Sequence, residues 1–285
     1  MRRALIVAVV AGGVVTAAAG SPIRGAQRPG APVPAAAVPA PISPSKPFAP
    51  EGFTPLFNGE SLSGWHVSRT NHHGTTPDYH VLHGLIVATQ SPLGRGGILL
   101  TDKKYRNVEV YMEVKPDYGC DSGLFLRSNE AGDAYQVTMD YLPGGSIGGI
   151  YGEGLQGVGA RGPAPAGRQG GAAPTPARAA APTPDVAGGI PLGSTTPQGD
   201  APWMKAWKRE DWNTVRVRMV GDVPHITVWV NDQQITDFTD TANHAKDGIT
   251  EGPIAIQVHG GTRWVPGGFW RWRTIAVKEL PADAK

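Results

Sequence analysis

The feature that most constrains the fold of this chain is a strict alternation of apolar and polar residues. Between Asn107 and Lys115 the apolar residues Val108, Val110, Met112 and Val114 occupy every second position. Because successive side chains of a strand point to opposite faces, this pattern predicts a strand with one buried face. Comparable runs are Gly123–Arg127, Tyr135–Asp140, Thr214–Val220, Pro224–Asn231, Pro253–His259 and Arg271–Lys278.

Residues that favour turns separate these predicted strands. Examples are Pro143-Gly144-Gly145 and Gly260-Gly261, and no convincing helical period extends over more than two turns. Many short strands with turns between them are typical of an antiparallel sandwich. The sequence therefore predicts an all-β fold, an antiparallel β-sandwich.

The N-terminal segment has the composition of an export signal. It begins with Arg2 and Arg3, continues through the apolar run Ala4–Val15 and reaches the small residues Ala17-Ala18-Ala19. A membrane-spanning helix needs about 20 strongly apolar residues, and this run is shorter and contains two glycines. We predict a cleaved signal peptide over residues 1–20, a periplasmic or secreted mature protein, and no stable membrane insertion after cleavage.

Two further segments lack the residues needed for a hydrophobic core. Residues 21–50 are rich in Pro, Ala and Ser, and 30 of the 46 residues in 157–202 are Gly, Ala or Pro. Such segments cannot bury enough apolar surface to offset their ordering entropy. We predict a disordered tether over 21–50 and a passive insertion over 157–202, within a single domain of residues 51–280. A lid function for the insertion is the alternative.

Charge and cysteine content exclude several classes of protein. The formal net charge is +2 and is spread along the chain, so we expect no nucleic-acid partner. Cys120 is the single cysteine of the sequence. It excludes an internal disulfide framework and any metal site built from several cysteines.

Alternation also predicts which polar side chains share a surface. Gln257 and His259 lie opposite the apolar residues of their strand, and Gln136 and Asp140 do the same on theirs. Glu113 has an equivalent outward position on its own strand. If these strands are neighbours, their polar residues form one concave face. Such a face is either an ordinary solvated side of a sheet or a surface that binds carbohydrate or another small ligand.

The tryptophan content favours carbohydrate among these ligands. The sequence holds eight tryptophans, and indole rings stack well on flat apolar surfaces such as those of sugar rings. Trp264, Trp270 and Trp272 lie close together in the sequence, and the last two share one face of the last predicted strand. We expect this group to be partly core and partly a stacking wall.

A set of short motifs occurs in order along the chain. They are Gly52-Phe53-Thr54-Pro55-Leu56-Phe57-Asn58-Gly59, Leu62-Ser63-Gly64-Trp65, Leu99-Leu100-Thr101-Asp102-Lys103-Lys104-Tyr105, Asp121-Ser122-Gly123-Leu124-Phe125-Leu126-Arg127, Gly148-Gly149-Ile150-Tyr151, Asp211-Trp212-Asn213 and Gly252-Pro253-Ile254-Ala255-Ile256-Gln257-Val258-His259-Gly260. Over Glu51–Leu280 this ordered set closely resembles the 3-keto-disaccharide hydrolase domain family, also described as the 3-keto-glucoside 1,2-lyase and 3-keto-2-hydroxy-glucal hydratase family. The resemblance implies a concanavalin A-like β-sandwich or jelly roll and an enzyme that cleaves 3-keto-glycosides.

The resemblance also implies a set of chemical roles. A ketone at C3 acidifies the C2 hydrogen, so a base removes that hydrogen, the C1 substituent leaves, and hydration of the resulting 3-keto-2-hydroxy-glucal completes the cleavage. The candidate catalytic residues are Glu113, Asp140, His259 and Tyr151, the last of them as an acid. The candidate substrate-binding residues are Arg127, Gln136, Gln257, His72 and His73. The enolate stabiliser is either a cationic side chain such as Arg127 or a divalent metal ion, whose ligands the sequence does not identify.

Two other functions stay open at this stage. One is a non-catalytic carbohydrate-binding β-sandwich, and the other is an interaction module that uses the Pro-rich segments as spacers. Neither needs a general base. The coincidence of Glu113, Asp140 and His259 at predicted sugar-facing positions favours the enzyme, whereas Thr138, where the resemblance leads one to expect Gln, favours the alternatives.

Overall fold

Strands account for nearly all regular structure in the part of the chain that the computed structural model describes, residues 48–75, 77–157, 190–191 and 201–284. In chain order the strands are β1 (Thr54–Pro55), β2 (Trp65–Val67), β3 (Pro77–Leu82), β4 (Leu85–Gln90), β5 (Gly97–Tyr105), β6 (Val108–Pro116), β7 (Ser122–Leu126), β8 (Ala134–Met139), β9 (Ile147–Glu153), β10 (Ile190–Pro191), β11 (Asn213–Val220), β12 (His225–Val230), β13 (Gln233–Thr239), β14 (Gly252–Val258) and β15 (Trp270–Glu279). The helical elements of this described part are one short helix, α1 (Pro202–Ala206), and one 3-10 turn, Lys246–Gly248. Neither these nor any other helix among the described residues has the length and apolar character needed to cross a membrane.

Three predictions made from composition fall wholly or mostly outside the described residues. They concern the signal peptide of residues 1–20, the tether of residues 21–50 and the insertion of residues 157–202. Export and a passive or lid-like insertion therefore stay predictions.

The strands form two antiparallel sheets that pack face to face. Sheet I has the order β13, β12, β11, β6, β15, β4 and β3, with β1 paired to β15. Sheet II has the order β10, β9, β8, β7, β14, β5 and β2. The two central strands of sheet I, β6 and β15, pair antiparallel, as do β7 and β14 at the centre of sheet II. The predicted all-β antiparallel sandwich is confirmed.

The alternation that predicted β6 produces the centre of the core. All four apolar residues of its inner face are buried, and Val110 lies opposite Val217 of β11 and Val277 of β15. Leu124 and Ile256, from the inner face of sheet II, belong to the same buried cluster. Each fully buried aliphatic side chain of this kind stabilises the fold by about 1.5–3 kcal/mol. The core therefore lies between the sheets.

The tryptophans near the C-terminus belong to this core. Trp264, Trp270 and Trp272 are all buried, and the rings of the last two stack with 5.6 Å between their centroids. The indole nitrogen of Trp270 donates to the carbonyl oxygen of Cys120 at 3.0 Å, and that of Trp264 donates to Gly268 at the same distance. The expectation of a shared face for Trp270 and Trp272 is confirmed. The expected stacking wall is wrong, because none of the three rings is exposed to a sugar.

The outer face of sheet II, the face turned away from sheet I, is not an ordinary solvated surface. It carries a second buried apolar cluster, formed by Ile98, Leu100, Phe125, Ala134 and Ala255. A solvated sheet face normally exposes charged and small polar side chains instead. Buried apolar residues here therefore provide a rigid floor beneath the polar side chains that the same strands present.

Candidate functional site

Several of the predicted polar residues converge on the outer face of sheet II. On β14 the inner residues Ile256 and Val258 join the core, so Gln257 points outward, and His259 directly follows the strand. On the other side of β7, Gln136 of β8 is paired in register with Tyr151 of β9, so both side chains share the outer face. The predicted grouping of these outward side chains is thus present.

A chain of hydrogen bonds links three of the predicted substrate-binding residues. The amide nitrogen of Gln136 donates to Gln257 Oε1 at 3.1 Å, and Gln257 Nε2 donates to His73 Nδ1 at 3.3 Å. His73 Nε2 in turn donates to the carbonyl oxygen of Gly132 at 3.1 Å. Burial lowers the pKa of His73 to about 3, so its ring is neutral at neutral pH. The network fixes two amide groups at the centre of the face, where they suit hydroxyl-rich ligands.

Gly123 of β7 makes this network possible. A Cβ at this position would lie 2.2 Å from Gln136 Nε2, well inside van der Waals contact. Only glycine therefore lets the Gln136 side chain cross the intervening strand β7 and reach Gln257 on β14. Glycine has a low β-propensity, so the strand itself does not explain its presence here. The site does explain it, because the Gln136 side chain needs the space.

Replacing Gly123 with alanine is expected to displace the Gln136 side chain and to lower the free energy of unfolding by about 1–3 kcal/mol, the usual cost of overpacking. Thermal unfolding measures the effect. In the double variant Gly123→Ala with Gln136→Ala the clash partner is absent, so the added Cβ should cost much less than in the wild-type background. An equal cost in both backgrounds would contradict the observed position of Gln136.

A charged cluster lies at one end of the same face. Arg263 donates through its terminal guanidinium nitrogen to Asp140 Oδ2, and its Nε lies 3.6 Å from Asp121 Oδ2. His259 Nε2 lies 3.6 Å from the same Asp121 oxygen, while His259 Nδ1 donates to the carbonyl oxygen of Gly260 at 2.6 Å. Two carboxyl groups, one imidazole and one guanidinium thus meet within a few ångströms.

Burial shifts the proton affinities of this cluster. It raises the pKa of Asp121 well above its ordinary range, an effect that the neighbouring Asp140 carboxyl strengthens and Arg263 opposes. Burial likewise raises the pKa of Asp140. It lowers the pKa of His259, so the imidazole stays neutral to more acid pH than in water. Acids with a raised pKa and bases with a lowered pKa are what proton-transfer chemistry needs at neutral pH.

A loop places His72 and His73 over the other end of the face. It is tied to the neighbouring loop where Ser68 Oγ donates to the carbonyl oxygen of Glu130 at 2.6 Å, and Thr75 forms a bridge with the first residue of β5. The His73 ring packs edge-on against Phe125, with 5.0 Å between ring centroids. This histidine pair therefore overhangs the outer face of sheet II.

Glu153, at the end of β9, adds a carboxylate beside these histidines. His72 Nε2 lies 3.6 Å from Glu153 Oε2, and the carboxylate raises the pKa of His72. Burial raises the pKa of Glu153 in turn. His72, His73 and Glu153 together are the one group among the described residues with three nitrogen or carboxylate ligands close enough to hold a metal ion.

Glu113 does not join the site, so the expected shared face is wrong for this residue. Its strand, β6, belongs to sheet I, and its side chain points away from the core on the opposite side of the sandwich. There Arg273 donates to it twice, at 2.8 and 3.0 Å, and Thr274 donates at 2.8 Å. Burial raises the pKa of Glu113, but these hydrogen bonds outweigh it and lower the pKa overall. Glu113 is an ion-pair residue of sheet I.

Arg127 is also placed elsewhere. Its backbone adopts φ 48° directly after β7, which turns the side chain out of the strand alternation. The guanidinium donates to the carbonyl oxygens of Gly221 and Asp222, in the turn between β11 and β12. It therefore ties the end of β7 in sheet II to the turn between β11 and β12 in sheet I, and it is not positioned to stabilise an enolate near His259.

The sequence reasoning missed two residues of the site. Arg263 lies in the irregular loop after β14, where no periodic pattern marks its position. Glu153 follows Tyr151 by two residues on β9 and points to the same face, but the sequence analysis predicted no strand over these residues. Asp121 begins one of the sequence motifs but was assigned no role, and it is the shared partner of His259 and Arg263.

Comparisons with known proteins place the chain in a family. The sequence model of the 3-keto-alpha-glucoside-1,2-lyase-like domain matches residues 52–278. Comparison with curated protein sequences finds no match. The match spans both sheets and every described residue of the outer face of sheet II named above.

Solved structures with a similar arrangement of strands include carbohydrate-related proteins of low sequence identity. A protein described as a glycosyl hydrolase from Parabacteroides distasonis has a TM-score of 0.47 and 16% identity, over 81% of this chain and 95% of that chain. The carbohydrate-binding module CBM66 from Bacillus subtilis has a TM-score of 0.45 and 9% identity, over 76% and 96%. The β-glucanase of Bacillus licheniformis has a TM-score of 0.46 and 10% identity, over 81% and 100%.

The sequence match covers most of the chain, and the fold is the β-sandwich that the resemblance implied. The chain belongs to the 3-keto-alpha-glucoside-1,2-lyase-like domain family, a carbohydrate-active family, and its fold is an antiparallel β-sandwich.

Proposed function

We propose that this protein cleaves 3-keto-glycosides by elimination across C1 and C2, followed by hydration of the 3-keto-2-hydroxy-glucal. The observation that carries the proposal is the cluster of His259, Asp121, Asp140 and Arg263 beside the two buried amides of the outer face. Family membership supports a carbohydrate substrate. The chemistry needs a base for the C2 proton, a group that stabilises the developing enediolate, and an acid for the leaving group.

His259 has the properties of the base. Its Nδ1 proton is held by the carbonyl oxygen of Gly260, which leaves Nε2 without a proton and able to accept one. Because burial lowers the pKa of His259, this form predominates at neutral pH. Asp121 Oδ2, 3.6 Å from Nε2, is placed to accept a hydrogen bond from the imidazolium that forms after proton abstraction, because a carboxyl oxygen accepts in the ionised and in the protonated state.

The neighbouring groups fit the two remaining roles. Burial raises the pKa of Asp140, so its carboxyl group holds a proton more readily than an exposed aspartate and suits the leaving-group acid. Arg263 is a permanent cation beside both carboxyl groups and suits the enediolate stabiliser, the role that the sequence assigned to Arg127. Tyr151 shares the face as a half-buried hydroxyl that can bind a sugar oxygen or serve as a second acid.

The proposal is tested with the purified protein and a 3-keto-glucoside that carries a chromogenic leaving group. We expect release of the chromophore with saturation kinetics, because a binding site and a base lie on the same face. The unoxidised glucoside is the control, and its C2 hydrogen is not acidified, so it should stay intact. Binding of the 3-keto-glucoside without release would instead support the non-catalytic carbohydrate-binding function.

A groove on sheet I is the observation that favours non-catalytic binding. It is lined by Pro50, Phe53, Tyr111, Thr214, Arg216, Trp229 and Asp232. Aromatic rings in a groove suit sugar stacking, but the guanidinium of Arg216 already lies 3.8 Å over the Trp229 ring and covers one of its faces. This groove also lacks a histidine or a close pair of carboxyl groups. We therefore place the principal carbohydrate site on sheet II.

A further inference from the structure

Three side chains from two separate segments point at one small volume beside the Gln257 network. His72 and His73 come from the loop after β2, and Glu153 from the end of β9. One ligand atom from each lies within 4.8 Å of the other two. His72 Nε2 and Glu153 Oε2 are 3.6 Å apart.

That separation is too long for a hydrogen bond and suits two ligands of one metal ion. A nitrogen or oxygen ligand lies about 2.0–2.2 Å from a transition metal, so two ligands at a tetrahedral angle are roughly 3.4 Å apart. A hydrogen-bonded pair would instead be about 2.7–3.2 Å apart. The gap between imidazole and carboxylate is thus of the size that a bridging cation occupies.

Both imidazoles are already oriented as metal ligands usually are. His72 Nδ1 donates to the carbonyl oxygen of Ala131 at 2.7 Å, and His73 Nε2 donates to that of the next residue, Gly132, at 3.1 Å. A carbonyl only accepts, so these nitrogens carry a proton, and in the neutral form of each ring the other nitrogen keeps its lone pair. Such an outer hydrogen bond from the distal nitrogen is a regular feature of metal-binding histidines, because it fixes the tautomer and the ring orientation. His73 Nδ1 would exchange its 3.3 Å contact with Gln257 for the metal.

The carboxylate supplies an independent observation. The Glu153 side chain is only 5% exposed, and its Oε2 atom is buried without a hydrogen-bond partner. A buried anionic oxygen without a partner costs free energy that a bound cation would offset. Nothing in the proton-transfer cluster around His259 accounts for this unpartnered oxygen.

We propose that His72, His73 and Glu153 bind one divalent transition-metal ion, of the class Zn²⁺, Mn²⁺ or Co²⁺. Two imidazoles and one carboxylate are a donor set that such ions favour, and three protein ligands leave coordination positions open, as in catalytic metal sites. The site lies on the same face as Gln136 and Gln257, so an open position can accept a sugar oxygen. Metal binding at this site does not depend on the proposed function, whereas a role of the metal in polarising the C3 ketone rests on it.

The test is direct metal binding by the full-length protein. After treatment with a chelator and dialysis, Mn²⁺, Co²⁺ and Zn²⁺ are titrated separately and followed by calorimetry, with the bound metal measured by elemental analysis. We expect about one equivalent of at least one ion and a higher melting temperature in its presence. Glu153→Gln and His72→Gln should each weaken binding by about 100-fold or more, because losing only an outer hydrogen-bond partner of a metal ligand already costs about 10–100-fold.

The control variant is His225→Gln. His225 Nε2 lies 2.6 Å from Asp237 Oδ1 on sheet I, an exposed imidazole–carboxylate pair without a third ligand, so its loss should not change affinity. Circular dichroism checks each fold, and His72 is exposed enough that its variant is expected to fold even if Glu153→Gln does not.

Absence of stoichiometric binding of all three ions, or equal affinity in wild type and the folded His72→Gln variant, would overturn the metal site. Metal binding that depends on these residues, without cleavage of a 3-keto-glucoside by the loaded protein, would support the metal site and contradict the proposed function. Cleavage that persists at full rate in metal-free protein would support the proposed function and contradict the role of the metal in it.

Discussion

Replacing His259 with alanine is expected to lower the turnover of a 3-keto-glucoside by about 100-fold or more, the scale associated with loss of a general base. The reason is the geometry of the imidazole, whose Nε2 is free to accept a proton while Nδ1 is held by Gly260. The side chain is half-buried at the end of a strand, so the variant should fold with little change in melting temperature. Initial rates and thermal unfolding measure the two effects.

Glu113→Gln is the matched control for this prediction. Glu113 lies on sheet I, where the substitution weakens the contacts with Arg273 and Thr274 and is expected to cost about 1–2 kcal/mol of stability without reducing turnover. The pH profile gives a second readout. Burial lowers the pKa of His259 below its ordinary value of 6.5. In the wild type, kcat/KM should therefore decrease on the acid side with a midpoint below pH 6.5. This decrease should be absent in His259→Ala. A loss of activity in Glu113→Gln equal to that in His259→Ala would contradict the placement of the site.

Trp270→Ala is expected to lower the free energy of unfolding by about 3–5 kcal/mol, the range for deletion of a large buried aromatic side chain. Trp270 is fully buried, stacks on Trp272 and donates a hydrogen bond to the carbonyl oxygen of Cys120. Deleting it removes the stack, leaves a cavity between the sheets and frees a buried carbonyl. Equilibrium denaturation with urea measures the change.

Trp212→Ala is the matched control, because the same side chain is deleted at a position that is only partly buried. There the Arg273 guanidinium lies 4.5 Å from the ring centroid, a cation–π contact of about 0.5–1 kcal/mol. The variant should therefore lose about 1 kcal/mol or slightly more. If Trp270→Ala is no less stable than Trp212→Ala, the position of the core between the two sheets is wrong.

The strands could be predicted because each one depends on a pattern of neighbouring residues in the sequence. Strand alternation on β6, β8 and β14 separated inner from outer residues correctly, and burial alternates with it on β6, whereas most outer residues of β8 and β14 are buried as well. Alternation says nothing about which strands become neighbours, however. Glu113 and Gln257 have the same outward character in the sequence, and pairing over long sequence separations puts them on opposite sides of the sandwich.

The site was predictable to the extent that it lies on regular strands. Gln136 and Gln257 were placed correctly by their position in the alternation, whereas Tyr151 became a candidate through the family resemblance and lies on β9, a strand that alternation did not predict. Arg263 was not, because it lies on a loop whose path depends on tertiary contacts. Arg127 was misplaced because a single left-handed residue at the end of β7 redirects its side chain, and no sequence pattern marks that conformation in an arginine.

The most direct test of the proposed chemistry is the fate of the C2 hydrogen when a 3-keto-glucoside is cleaved in D₂O. Elimination removes that hydrogen, and hydration of the glucal adds one from solvent, so proton NMR of the freshly released 3-keto sugar should show deuterium at C2 in each molecule formed. His259→Ala should lose aglycone release and C2 labelling together, because one proton abstraction underlies both. Release of the aglycone with the original hydrogen retained at C2 would mean direct hydrolysis of the glycosidic bond and would contradict the account.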